Sequence, residues 1–188
     1  MAIGIIQEDG TGLPDANSYA AAADSDLYHA GHLYPTGWTT ASDLRKTQAL
    51  VMATRLIDAE CMFMGFRKSS AQALQWPRVQ VPDRESPGVY WVPGLVIGLG
   101  PVAPQYLSSD SVPPCVINAT CELARELLLA DRTGAPLGEG LQSSAVSGST
   151  FVYDKSDRRP VLTPVVEALL ARVLLSSPKM SAVRLVRS

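Results

Sequence analysis

The two histidines of the sequence, His29 and His32, are three residues apart on a predicted helix that also carries Asp24 and Asp26. Imidazole and carboxylate groups that share one end of a helix could ligate a metal ion. No third ligand with a suitable spacing follows them. The sequence therefore predicts that they belong to an ordinary helix surface and that the protein uses no metal or other cofactor.

A second candidate for chemistry is the carboxylate pair Glu122 and Glu126, four residues apart on another predicted helix. Paired carboxyl groups can act as general acid and base. Arg125, Asp131 and Arg132 lie close by in the sequence, however, and ions of both signs at this spacing are typical of a solvated ion-pair surface. We expect that surface rather than a catalytic pair.

Phosphate-binding and nucleophile motifs are missing from the sequence. Gly94, Gly98 and Gly100 are not followed by the Lys-Ser/Thr pair of a phosphate loop, and no Gly-x-Ser-x-Gly segment occurs. The three cysteines have no metal-like spacing and are expected to be reduced, mostly buried thiols. The sequence therefore gives no reason to expect an enzyme.

Helical periodicity predicts the elements that would position these side chains. Four main helices are expected over residues 24–32, 42–61 (starting at 40 or 42), 113–134 and 160–176. The last would place one apolar face against the others, formed by Leu162, Val165, Val166, Leu169, Leu170 and Val173. We therefore expect a mainly α protein, a bundle of about four helices.

Shorter elements are expected between the helices. A helical turn should end at Gln75, because Pro77 excludes helical geometry at Trp76, and Trp76 itself is expected in the core. A β-hairpin is expected at residues 143–154 with Gly148-Ser149 as its turn, glycine being first in a type II′ turn. Domain 1–175 would thus include this hairpin and an inserted loop at 86–109.

Charge is scarce and unevenly distributed. Charged residues make up 18% of the chain, against about 25% in ordinary soluble domains. Residues 1–154 contain 9 Lys or Arg and 16 Asp or Glu, whereas residues 155–188 contain 7 and 2. An acidic body of this kind argues against binding DNA through a broad basic face.

Residues 86–109 form a run of 24 residues without a single charge. Its prolines and glycines exclude a membrane helix and favour a hairpin or extended loop. On a monomer such an apolar loop would promote aggregation, so we expect it to contact another subunit or ring. The candidate interface residues are Val89, Tyr90, Trp91, Leu95, Val96 and Ile97.

Several segments taken together resemble a family of tailed-bacteriophage proteins. They are the opening segment 12–19, the helix with Tyr28-His29, the stretch 49–58, the segment 73–78 (Ala-Leu-Gln-Trp-Pro-Arg), and the helix 119–129 with the hairpin that ends in Val152-Tyr153. This family is often labelled DnaT-like single-stranded-DNA-binding protein, but its organisation is similar to that of head-tail connector adaptors. The resemblance covers roughly residues 8–175, and the loop at 87–109 departs from it.

The resemblance implies a structural virion protein at the head-tail interface, made in the host cytoplasm. It would form a homo-oligomeric ring of twelve copies that joins the portal protein to a neck or tail-completion protein. DNA would pass through the channel without sequence-specific contact, and no membrane would be involved. The alternative is a DnaT-like single-stranded-DNA-binding accessory protein.

Adaptors of this kind dock on the portal through a C-terminal arm, which here would be residues 176–188. The arm is apolar and basic and lacks acidic residues. Its cations would steer the encounter with acidic portal groups, and its apolar side chains would make the contacts. The candidate docking residues are Lys179, Met180, Val183, Arg184, Leu185, Val186 and Arg187.

Overall fold

The computed structural model describes residues 4–84, 105–134 and 160–175, together with the backbone of four strands between these ranges. Within them the chain forms five helices: α1 (Ala22–Ala30), α2 (Thr36–Thr39), α3 (Asp43–Glu60), α4 (Pro114–Leu129) and α5 (Pro164–Leu170). Three antiparallel strand pairs accompany them: β1 (Phe66–Arg67) with β2 (Arg78–Val79), β3 (Val89–Val92) with β4 (Leu95–Gly98), and β5 (Ser143–Val146) with β6 (Ser149–Val152). The predicted mainly α fold with a β-hairpin is confirmed.

Helix α4 is the centre of the bundle, because it packs against each of the other four helices. Its apolar face is buried at Val116, Ala119 and Leu123. Helix α3 adds Leu50 and Ile57 to the same core cluster. Burial of each such Leu, Ile or Val side chain contributes about 2 kcal/mol, so the α3–α4 contact makes a large contribution to stability.

Hydrogen bonds between side chains and the backbone determine where α4 ends and where α5 begins. Helix α4 stops at Leu129 rather than near Gly134, because the Asp131 carboxylate accepts a hydrogen bond from the Thr133 amide at 2.8 Å. The last helix begins at Pro164 and not at Pro160, since the Thr163 hydroxyl accepts from the third amide of α5 at 3.2 Å. Val165 was predicted to lie in the apolar face of this helix, and that prediction was wrong, since its side chain is exposed near the start of α5.

The helical turn expected to end at Gln75 is absent; residues 71–75 form bends. The buried Gln72 side chain holds this segment by donating to the carbonyls of Leu74 and Pro77 at 2.8 and 3.0 Å. The Asp58 carboxylate accepts from the Gln75 amide at 3.0 Å. These side chains occupy backbone groups that a helical turn would use for its own hydrogen bonds, so the turn does not form. Trp76 is fully buried, as predicted.

The hairpin predicted at 143–154 is confirmed over Ser143–Val146 and Ser149–Val152. Ser149 pairs with Val146, so it belongs to β6 and not to the turn as predicted. Gly148, the other predicted turn residue, lies outside the described residues.

A buried polar cluster joins three distant parts of the chain. The Tyr19 hydroxyl donates to the Asp58 carboxylate on α3 and accepts from the Trp76 amide at 3.2 Å. Arg78 donates to the carbonyls of Met64 and Gly65, both at 2.7 Å. Burial raises the pKa of Asp58 and, more strongly, that of Tyr19. The motif residues that carry the family resemblance therefore hold the fold together.

The opening segment is organised by a buried carboxylate. Glu8, 3% exposed, accepts hydrogen bonds from the amides of Gly10, Gly12 and Leu13 at 2.8–2.9 Å. Gly10 has a φ of +100°, and a Cβ there would lie 2.2 Å from the carbonyl oxygen of Asp110. Only glycine fits this approach.

Two predictions of solvated surface were wrong. His29 is 2% exposed, donates its Nε2–H to the Cys121 carbonyl at 3.2 Å, and packs on Trp38 with 5.2 Å between ring centroids. Glu122 is 3% exposed and pairs with Arg125 at 2.6 Å. The ion pair itself is as predicted, but α1 and α2 cover it, because they pack against this part of α4.

We predict that His29 makes folding sensitive to acid. Burial holds its pKa below the ordinary 6.5, so the unfolded chain binds this proton first as the pH falls. The stability that depends on a neutral His29 is fully present above pH 6.5. It is lost as the pH falls from there toward the lower pKa of the folded state, and the free energy of unfolding then changes by at most about 1.4 kcal/mol per pH unit. His29→Gln keeps a donor for the Cys121 carbonyl and should remove this slope.

Urea unfolding of both proteins between pH 5 and 8 measures the difference directly. His32→Gln is the matched control and should keep the slope, since its imidazole is more exposed. Equal slopes for the wild type and His29→Gln would contradict the prediction.

Candidate interaction site

The predicted inserted loop leaves and rejoins the body through a short paired stem. The Asp83 amide donates to the Gln105 carbonyl and the Leu107 amide to the Val81 carbonyl, each at 2.9 Å. Pro82 and Tyr106 form an antiparallel bridge between these bonds. The outgoing and returning strands of the loop are therefore fixed side by side on the body.

Within the loop, β3 and β4 form a four-residue antiparallel ladder that runs from Val89 opposite Gly98 to Val92 opposite Leu95. This confirms the hairpin alternative of the sequence analysis. All six candidate interface residues belong to these two strands: Val89, Tyr90, Trp91, Leu95, Val96 and Ile97. Their side chains lie outside the described part of the structure, so their role in an interface stays a prediction.

Arg84 connects the stem to the end of helix α5. Its guanidinium donates to the carbonyls of Ala171 and Leu174 at 2.6 and 2.8 Å. These are carbonyls at and beyond the C-terminal end of α5, which have no partner within the helix. Burial lowers the pKa of Arg84, which nevertheless stays charged at neutral pH. One side chain thus ties the root of the hairpin to the last described residues of the chain.

The start of the C-terminal arm is fixed by backbone bonds as well. The Met64 amide donates to the Val173 carbonyl at 2.9 Å, and the Leu175 amide donates to the Met62 carbonyl at 2.8 Å. Residues 173–175 therefore lie along residues 62–64 as a short extended segment. The candidate docking residues 179–187 follow outside the described residues, and their contacts stay a prediction.

A cleft of about 140 Å³ opens where the stem of the inserted loop meets the start of the C-terminal arm. It combines apolar walls with charged groups of both signs, and Arg172 and Asp83 face each other across 4.0 Å. Cys115 is half-buried there, and burial raises the pKa of its thiol. The lining residues are Pro82, Asp83, Arg84, Leu107, Pro113, Pro114, Cys115, Arg172 and Val173. A thiol of raised pKa is a poor nucleophile, so the structure gives no reason to assign Cys115 a nucleophilic role.

Sequence reasoning missed this site, although one signal for it was present. Arg84 is the last cation before the uncharged run of 86–109. A charged residue at the border of an apolar insertion marks the place where the insertion is attached. Its partners on α5 could not be foreseen, because they are backbone carbonyls 87 and 90 residues away.

The cations of the described body are mostly occupied within the body. Lys46 pairs with Asp26 at 2.8 Å and Lys68 with Asp110 at 2.6 Å. Arg125 pairs with Glu122, which raises the pKa of the guanidinium. These pairs leave little positive charge for a phosphate backbone.

The other candidates of the sequence analysis do not assemble into a chemical site. His29 and His32 point their rings toward each other at 5.9 Å between centroids, and one of the two is buried. Across the described ranges, no group of three or more His, Cys, Asp or Glu side chains could hold a metal ion. The helices described above include none that is long and apolar enough to cross a bilayer.

Comparison with known proteins gives one match. The family "Putative DnaT-like ssDNA binding protein" matches residues 3–91, which span the opening segment, α1–α3, β1, β2 and the start of the hairpin. No curated protein and no solved structure matches the chain. The match agrees with the label noted in the sequence analysis and fits the single-stranded-DNA-binding alternative; it gives no support to a connector family.

We predict that Arg84→Ala loosens the end of α5. It leaves the carbonyls of Ala171 and Leu174 without their donor. The bond to Ala171 is exposed and the bond to Leu174 is partly buried, so the loss should cost about 2 kcal/mol, since one shielded hydrogen bond to a charged group is worth about 1.5–3 kcal/mol. Amide hydrogen exchange in residues 171–175 should accelerate more than exchange in α3.

Arg172→Ala is the matched control, since it removes an arginine from the same cleft whose side chain is half-exposed. A surface pair is worth about 0–1 kcal/mol, so this variant should change little. If both variants accelerate exchange equally, Arg84 does not hold the stem of the inserted loop to the end of α5.

Proposed function

We propose that this protein is a head-to-tail adaptor of a tailed bacteriophage, a ring subunit that joins the portal to the tail and leaves a channel for DNA. The proposal rests on one observation. The two segments predicted to contact partners, the uncharged loop 86–109 and the C-terminal arm 176–188, are attached to the body at neighbouring places. The uncharged hairpin and the C-terminal arm both leave the body beside Arg84. A subunit that joins two different partners needs segments of this kind on a rigid base.

The use of charge supports the proposal. The body is acidic, and its cations are largely held by its own carboxylates and carbonyls. A channel wall of this character repels the phosphate backbone, so DNA would pass without binding. The neighbouring subunits, the portal and a neck or tail-completion protein would cover the apolar surface.

The second candidate is a single-stranded-DNA-binding accessory protein, and the family match over residues 3–91 favours it. Binding of this kind uses a basic groove with exposed aromatic rings on which bases stack. Trp38 and Trp76, the tryptophans whose side chains are described, are 1% and 0% exposed. They cannot stack on bases, so stacking within the matched region would fall to other rings such as Tyr34 and Phe66, which are 70% and 66% exposed.

Removal of residues 176–188 should abolish binding to the portal protein of the same virus and leave the helical fold intact. The fold should survive because the bonds of residues 173–175 to the body are retained. Surface plasmon resonance with immobilised portal measures binding, and circular dichroism measures the helices. Unchanged portal binding would contradict the role of the arm.

Two full-length variants separate the contributions within the arm. Replacement of Lys179, Arg184 and Arg187 by Ser should mainly slow association, about tenfold at low salt, because charge steers the encounter. Replacement of Met180, Val183, Leu185 and Val186 by Ser should mainly speed dissociation. Equal effects of both on the association rate would exclude apolar anchoring.

Fluorescence anisotropy with labelled single-stranded oligonucleotides separates the two candidate functions. The adaptor should show negligible binding at about 50 mM salt. Micromolar or tighter binding that weakens steeply with added salt would favour the accessory protein and overturn the proposal.

A further inference from the structure

An exposed apolar pair lies where the C-terminal arm begins. The antiparallel bridge between Phe63 and Leu174 places Met62 directly opposite Leu175. Phe63 and Leu174 are buried, whereas Met62 and Leu175 are 63% and 42% exposed. Opposite residues of an antiparallel pair share one face, so these two large apolar side chains form one patch beside the first residues of the arm.

The end of helix α3 next to this patch is negative. Its last turn contains Asp58 and Glu60 and no basic residue. The carbonyl groups at the C-terminal end of a helix are partly negative and favour a neighbouring cation. Glu60 is exposed and makes no ion pair within the described ranges. Among the residues described, none supplies the cation that this helix end favours.

Helix α5 adds a third carboxylate, that of Glu167. Burial, and after it the charges of Asp58, Glu60 and Glu167, raise the pKa of the Cys61 thiol to about 12. A charge shifts the pKa of groups that lie near it, so carboxylates of two helices gather around Cys61, the residue before Met62. Asp58 is already engaged by the Tyr19 hydroxyl.

The apolar patch and its acidic border thus lie side by side on the body. We refer to them together as the arm-contact surface, which consists of Glu60, Met62, Glu167 and Leu175.

The segment that begins at this surface has the opposite charge. The arm, residues 176–188, contains Lys179, Arg184 and Arg187 and no acidic residue, and its other large side chains are apolar. Lys179 is four residues beyond Leu175, which allows it a reach of about 14 Å. Glu60 is only two residues from Met62, about 7 Å along an extended chain. The first cation of the arm can therefore reach Glu60 while residues 173–175 keep their bonds to the body.

The tether decides which copy of the arm occupies the surface. A binding segment joined to its site by a short linker has an effective concentration of about the millimolar range. The arm of a separate copy at micromolar concentration competes poorly with it. The arm of the same chain is therefore the occupant that the attachment at Leu175 favours.

We propose that the C-terminal arm of the free subunit packs on the arm-contact surface of its own chain. Its cations face Glu60 and Glu167, and its apolar side chains cover Met62 and Leu175. The contact keeps an apolar segment from aggregating before assembly, and the portal has to displace it. The inference rests on the proposed function, which assigns the arm to the portal, and adds a means of regulating that docking.

Limited trypsin digestion of the full-length protein tests the contact, because trypsin cleaves after lysine and arginine and the arm contains three such residues. Cleavage after Arg184, followed by mass spectrometry, should be about tenfold slower in the wild type than in Glu60→Gln/Met62→Ser, since the protease cuts the released arm. Circular dichroism should show equal helix content, because both replaced side chains are exposed. Equal cleavage rates would overturn the contact.

Asp43→Asn/Leu44→Ser is the matched control, since it replaces an exposed carboxylate and an exposed apolar side chain at the other end of α3. That end lies about 26 Å from Glu60 at 1.5 Å per residue. Cleavage after Arg184 should stay as slow as in the wild type. Faster cleavage in this variant would show that protection does not depend on the arm-contact surface.

A charge exchange tests the pairing directly. Glu60→Lys should accelerate cleavage after Arg184, and Glu60→Lys combined with Lys179→Glu should restore the protection, because the two charges attract again. Protection of the wild type should also be independent of protein concentration. Protection that increases with concentration would place the arm on another copy and overturn the proposal, as would a double variant that stays unprotected.

Portal binding separates this inference from the adaptor role. The digestion contains no portal protein, so loss of protection contradicts the contact alone. Glu60→Gln/Met62→Ser keeps the arm intact and should associate with immobilised portal about threefold faster or more, since no displacement is needed. An unchanged association rate would overturn the regulatory role, whereas a wild type that does not bind the portal would contradict the adaptor role itself.

Discussion

The fold depends on the buried contact between the Tyr19 hydroxyl and the Asp58 carboxylate. Through these two groups and the amides of Gln75 and Trp76, the opening segment, helix α3 and segment 74–78 are held at one point. A carboxylate without partners would be very unfavourable at this depth. The three segments must therefore come together for this carboxylate to keep its partners.

Several buried or half-buried charged side chains in the described part of the chain form hydrogen bonds with backbone groups. Glu8 binds three amides of the opening segment, Arg78 binds carbonyls of the segment before β1, and Arg84 binds carbonyls at the end of α5. Nearly all segments organised in this way are irregular and lack the hydrogen bonds of a helix or sheet. The low charge content of the sequence is thus accompanied by an unusual use of charge, in which ions stabilise loops and leave few groups for ligands.

The parts of the fold that sequence could predict are those set by long apolar repeats. The two long helices α3 and α4 were predicted from the spacing of their apolar residues, and Trp76 was correctly expected in the core. The ends of α4 and α5 were not, because they depend on single hydrogen bonds from Asp131 and Thr163. His29 was misplaced for a similar reason. Its partner is a backbone carbonyl 92 residues away, and a carbonyl leaves no mark in the sequence.

The central position of α4 has a consequence for how the chain acquires its structure. The stretch 3–91, which matches the known family, contributes α1–α3, but the other half of its core comes from residues 112–174. During synthesis the first half emerges with its apolar stripe uncovered and cannot complete its core until α4 has followed. Contacts over such sequence distances slow folding and prolong the exposure of apolar surface. Newly made chains therefore keep the apolar faces of α1–α3 accessible to other molecules until α4 has left the ribosome.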